Sequence, residues 1–141
     1  MHWINWIQFF SSFWMMVTIW FVQCVHYPLF LAVPLDHKGH YFHRHQTLIS
    51  FIVMPVMLVE LGSLVLMGSV LQYNYYWISL LVMLVTIWAS TFFIQVPCHQ
   101  RLLTDPSVEV IHRLIASNWI RTILWTIKTL TIGIFLYWGF K

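Results

Sequence analysis

Eight histidines stand in this chain against only four acidic residues. Imidazole ligates metals, holds haem and moves protons near neutral pH. Seven of the eight gather towards one side of the apolar stretches described below. His26 lies near the end of the first stretch, His37, His40, His43 and His45 crowd the connection after it, and His99 and His112 bracket the only other polar connection on that side. Only His2 lies elsewhere. Their spacing follows no HExxH pattern, and Cys24 and Cys98 form no CxxC pair, so no established zinc motif is present. His43 and His45, two residues apart on a helix, point about 200° from one another, so they cannot share one centre. His37 and His40, beside Gly39, read as solvated loop residues. One histidine from each apolar stretch, His26, His43, His99 and His112, then forms an inward set able to bind a transition metal or to supply axial ligands to a haem. Proton relay, substrate binding without metal, and simple hydrogen bonding to loops or lipid phosphates are the alternatives.

A second group lies deeper. Asn118, Arg121, Trp125 and Lys128 recur at spacings of three, four and three, which puts them on one helical stripe. Arg121 falls about 10 Å and Lys128 about 20 Å beyond Leu114 at the rise of an α-helix. Charges at that depth are costly against lipid, so the stripe must face inward. Glu60 lies about 18 Å beyond Leu48, which predicts an ion pair with Lys128 or Arg121. That pair serves either as plain stabilisation or as a charged floor beneath a polar cavity. Gln23 precedes His26 by three residues and Gln95 precedes His99 by four, suggesting two inward polar edges. Asn118 and Arg121 are suited to orient or polarise substrate oxygen atoms, with His99 or His26 as general base and Glu60 beneath them. His26 and Gln95 are candidate cofactor contacts. Ser11, Ser12, Thr86, Ser90 and Thr91 read as aids to helix approach or as bonds to their own backbone, and Pro55 as a kink opening space above Glu60.

The elements that position these residues follow from composition. Of 141 residues, 60% are hydrophobic and 8% charged, with mean hydropathy +0.77. A soluble domain carries about 25% charged residues. Apolar runs from Trp6 to Val33, Leu48 to Leu71, Trp77 to Val96 and Leu114 to Trp138 each reach the roughly 20 residues that cross a bilayer. The expected fold is all-α, a single domain of four transmembrane helices at about 6–33, 42–71, 77–99 and 106–139. Asp105 and Pro106 read as the N-cap and first residue of the last helix. The first run lacks a basic n-region and is too long for a signal peptide, so it reads as a retained helix. Lys38, Arg44, Arg101 and Arg113 flank the first and third connections, which places these in the cytoplasm and both termini outside. Trp3, Trp6, the run QYNYYW and the Tyr137–Trp138 pair form the opposite aromatic belt. The charge of +3 belongs mostly to the cytoplasmic rim and gives no case for nucleic acid. Neither cysteine is expected in a disulfide, since both lie towards the reducing side.

The two halves are similar. Gln23 and Gln95, His43 and His112, and Glu60 and Lys128 are offset by 72, 69 and 68 residues. Two parallel hairpins related by a pseudo-twofold along the membrane normal would produce this; so would the ordinary clustering of basic and aromatic residues at helix ends.

QVPCHQRL at 95–102 and SNWIRT at 117–122 resemble the paired signature of the anthrone-oxygenase-like family of small four-helix membrane proteins, in which VP-x-x-x-x-L ends the third helix and an asparagine-containing stretch ending in Arg-Thr opens the fourth. YPLFLAVP at 27–34, FHRH at 42–45 and PVMLVE at 55–60 fit that architecture more loosely. The matching residues are Gln95, Pro97, Arg101, Asn118, Arg121 and Thr122, while His99 stands where members often carry asparagine. The resemblance implies a multi-pass protein of the bacterial inner membrane and, from fungal members, oxygenation of polyketide anthrones without an obvious cofactor motif. Three functions are therefore expected in order: a redox or oxygenase-like protein acting on a hydrophobic small molecule or lipid near the cytoplasmic face; a haem-, metal- or quinone-binding subunit of a larger membrane complex; and a non-catalytic accessory subunit. Homo-oligomerisation is compatible with each, and transport of a small anion or metal would need it, since four helices leave little room.

Overall fold

The computed structural model describes residues 2–34, 38–71 and 74–139; His37 and parts of the aromatic run and C-terminus fall outside them. Four helical rods cross the length of the molecule: α1 at Trp3–Ala32, α2 at Lys38–Leu71, α3 at Tyr75–Thr104 and α4 at Val108–Gly139. All four are long and apolar enough to span a membrane. Each packs against its neighbours in sequence, and α4 closes the ring against α1. The outer surface is a belt of exposed large apolar side chains, among them Trp14, Phe51, Val82, Phe93 and Ile134. In water such a belt would be an aggregation surface; in hydrocarbon it is the ordinary exterior of an integral, multi-pass membrane protein.

Two rods are interrupted at matching places. A π turn occupies Val22–His26 in α1 and another Thr91–Gln95 in α3. In each, the amide after the turn reaches back five residues, Tyr27 to Val22 and Val96 to Thr91. Pro28 and Pro97 follow directly. Proline has no N–H for the carbonyl four residues earlier, here Cys24 and Phe93, so the helical ladder is already loosened where the extra residue is accommodated. The paired interruption accords with the similarity between the halves. Helix α2, by contrast, runs on through Pro55.

The connections settle two details differently from the sequence reading. Asp105 ends α3 rather than opening α4: its amide donates to the Arg101 carbonyl at 2.7 Å, and its carboxylate lies 3.6 Å from the Arg101 guanidinium. Local ion pairing with the preceding turn wins over capping, and α4 begins at Val108. His40 is helical rather than looped, because α2 starts at Lys38, though it is exposed as expected. The buried Lys38 ammonium donates to the Pro106 carbonyl at 3.4 Å, joining the first and third connections.

At the other end α2 and α3 meet closely. A Cβ on Gly68 would stand 2.7 Å from the Trp77 indole, so only glycine admits that ring, whose Nε1 donates to the Leu64 carbonyl at 2.8 Å. Asn74 caps α3 by accepting from the Trp77 amide at 3.0 Å. Leu64, Met67, Leu80, Leu84, Ile132 and Leu136 fill the core there.

Candidate functional site

Polar side chains occupy two levels inside the bundle. In the deeper level, Lys128 and Glu60 form an ion pair at 2.5 Å with neither side chain exposed. Ser12 donates to Glu60 Oε1 at 2.6 Å and accepts from Lys128 Nζ at 3.1 Å, while the Trp125 indole donates to Glu60 Oε2 at 3.2 Å. A buried pair is tolerable only when its remaining lone pairs and protons are also engaged, and here α1, α2 and α4 all contribute. The pairing expected for Glu60 thus falls to Lys128, leaving Arg121 to different partners. Beyond it, Ser63 donates to Gln8 Oε1 at 2.5 Å.

The second level is built on α4. Asn118 and Arg121, one turn apart, are both buried. Arg121 Nε donates to Asn118 Oδ1 at 3.0 Å, its Nη2 donates to the same oxygen, and Nη2 also reaches Tyr27 Oη and Gln95 Oε1 at 3.4 Å. Asn118 Nδ2 donates to Gln23 Oε1 at 2.7 Å, and Gln23 Nε2 to the Ile115 carbonyl at 3.2 Å. Gln95 Nε2 donates to Ser117 Oγ at 2.9 Å. The two glutamines, one from each π-turn region, therefore grip α4 from opposite neighbours. Thr122 bonds the Asn118 carbonyl of its own helix.

Tyr27 extends this level towards the histidines. Its hydroxyl lies 2.9 Å from His99 Nε2. Arginine can only donate, so the Tyr27 oxygen accepts from Arg121. His99 Nδ1 is buried without a partner. The His45 ring lies 5.7 Å from that of His99, centroid to centroid, and His45 Nδ1 is 2.8 Å from His26 Nε2. Gln46 Nε2 donates to the His99 carbonyl at 2.6 Å, fixing α2 against α3 here.

The histidine set thus differs from the expected one. His43 and His112 are exposed and do not join His26 and His99; His45 takes the inward place on α2. On the regular helix α2 the inward face at this level carries the buried Phe42 and, one turn on, His45, which leaves His43 outward. The π turn in α1 changes a second expectation. Its extra residue separates Gln23, which faces α4, from His26, which faces α2, although their spacing suits one face of a regular helix. Among the described residues no three His, Cys, Asp or Glu side chains converge as metal ligands, and His26 and His45 are hydrogen-bonded to each other rather than opened around a centre. Cys24 is exposed and Cys98 buried, and both are free thiols. The sequence alone leaves His45 outside the inward set, takes Ser12 for an aid to helix approach or a bond to its own backbone, and gives Tyr27 no role. For Tyr27 the one available signal was its position beside His26, just before Pro28.

Two adjacent spaces adjoin this level. An inner cavity of about 130 Å³ is lined by Tyr27, His45, Gln95, His99, Arg121 and Trp125 among others. An outer apolar groove of about 650 Å³ lies between α1 and α2, with Val17, Phe21, Leu48 and Ile52 on its walls and His26 and Arg44 at its polar end. Thr18, Val22, His45 and Ile49 line both. The fold defines a four-helix integral membrane protein. No protein-family model, curated protein or solved structure matches the chain.

Proposed function

We propose that the protein is a redox or oxygenase-like membrane protein acting on a hydrophobic small molecule, the reading that the resemblance to the anthrone-oxygenase-like family also suggests. One observation carries it: a buried arginine, a tyrosine and a histidine form a hydrogen-bonded line along a cavity next to a groove open to lipid. In this reading Arg121, held by Asn118 and Gln95, binds a substrate oxygen and stabilises charge developing there. The Tyr27 oxygen takes a proton from the substrate as its own passes to His99 Nε2, making the pair a general base. The oxidant is dioxygen or a second membrane-soluble acceptor. By the distribution of basic residues, this chamber lies towards the cytoplasmic side.

An inner cavity of about 130 Å³ approaches the size of the roughly 150 Å³ space that holds one benzene ring. It takes the reacting end of a substrate, and the remainder lies in the groove. The test uses protein purified in mild detergent and incubated with lipid extract of its source membranes in an oxygen electrode. Wild-type protein is expected to consume dioxygen, and Tyr27→Phe to do so about 100-fold more slowly. Full activity in Tyr27→Phe would sink the mechanism. No consumption by wild type, together with a Soret band or stoichiometric metal, would favour the cofactor-binding subunit instead.

A further inference from the structure

Arg121 is 7% exposed and has no carboxylate partner among the described residues. Glu60 is taken by Lys128, and Glu109 is exposed in the first turn of α4. All the acceptors of Arg121 are neutral, and its Nη1 has none. His99, on the same cavity, holds a second unpartnered nitrogen, Nδ1. The chamber therefore presents a permanent positive charge whose partners among the described residues are all neutral, beside an unpartnered imidazole nitrogen. Guanidinium does not lose its proton in proteins, so the charge cannot be relieved by titration. An uncompensated ion in a low-dielectric interior is among the costliest features a fold can carry.

From this we infer that the chamber binds an anion, specifically the carboxylate of a single-chain lipid such as a long-chain fatty acid. This names a ligand class for the chamber and rests on reading that chamber as a ligand site; an already ionised carboxylate is held by Arg121 as a bound anion and is not the group deprotonated in the proposed reaction. One cation matches one negative charge, and the planar fork of arginine matches a carboxylate. The inner cavity holds a head group and little more, while the groove, walled by Val17, Phe21, Leu48 and Ile52, suits an alkyl chain. Arg44 at the polar end of the groove is exposed and makes no ion pair among the described residues, so it attracts the same charge from the membrane surface. The chain arrives laterally between α1 and α2, past the His26–His45 pair.

The experiment compares palmitate with hexadecanol, which keeps the chain and removes the charge, by native mass spectrometry or calorimetry of the full chain in mild detergent. Palmitate is expected to bind at least about tenfold more tightly, a difference of about 1.4 kcal/mol. Arg121→Gln is expected to lower palmitate to the level of hexadecanol, and Ile49→Trp, at a side chain that lines both groove and cavity, to weaken both ligands together. Equal binding of the two ligands by wild type overturns the anion inference while leaving a neutral ligand site in place. Binding of neither overturns the inference and the ligand site with it. Undiminished palmitate binding by Ile49→Trp overturns the lateral route. The wild-type comparison decides the charge question even if Arg121→Gln does not fold.

Discussion

Glu60 and Lys128 illustrate what a single buried pair contributes and how it is read. Each neutralises the other out of reach of water, so removing one leaves the other as a lone buried charge. Glu60→Gln or Lys128→Met alone is expected to cost about 3–5 kcal/mol, whereas Glu60→Leu with Lys128→Leu together should cost much less. Thermal unfolding in detergent checks this, and a double variant as unstable as the sum of the singles would contradict it. Helix arithmetic found this pair because both residues are charged, deep and at the same level. It could not find Ser12 or Gln8. A hydroxyl in a transmembrane helix satisfies itself on its own backbone as readily as on a partner, as Thr86 and Thr91 do here. Tyr27 was hidden for another reason: a tyrosine near a helix end reads as part of the interfacial belt.

At the scale of elements, the π turns decide which residues meet. A regular helix through Val22–His26 would turn Tyr27 and His26 away from His99 and His45. Deleting Val25 removes the extra residue and should restore regular hydrogen bonding at little cost in stability. The variant is expected to keep its helicity by circular dichroism and to lose dioxygen consumption and palmitate selectivity together. Retention of both would show that the turn is incidental. The four rods were legible because twenty apolar residues in a row admit one reading. The π turns were not, since one inserted residue leaves no periodic trace, and the prolines beside them suggest a kink but not its register. The expected set contained His43 and His112 rather than His45 for a different reason: it followed the similarity of the two halves, which does not fix which face of α2 turns inward. The Gly68–Trp77 contact was equally unannounced. Gly68→Ala is expected to lower the thermal midpoint by several degrees, because the Cβ would overlap an indole ring that cannot retreat without losing its bond to Leu64.

For the molecule as a whole, the basic connections predict the orientation. Cysteines introduced at Tyr75, which is 91% exposed, and at Asp105 should label from opposite sides of sealed vesicles, with Asp105 on the cytoplasmic side. Labelling of both from one side would refute the topology. Composition alone gave the bundle and its lipid-facing exterior, since both are averages over many residues. The chamber depends on a few side chains whose directions one extra residue can reverse. One of them, Trp125, belongs to both polar levels: its ring closes the inner cavity, and its nitrogen is tied to Glu60. A guest pushing deeper would have to break a bond to a buried carboxylate before gaining any room. In the proposed reading the chamber would measure its guest like a gauge block, accepting tails of any length outward while holding the head to one fixed depth.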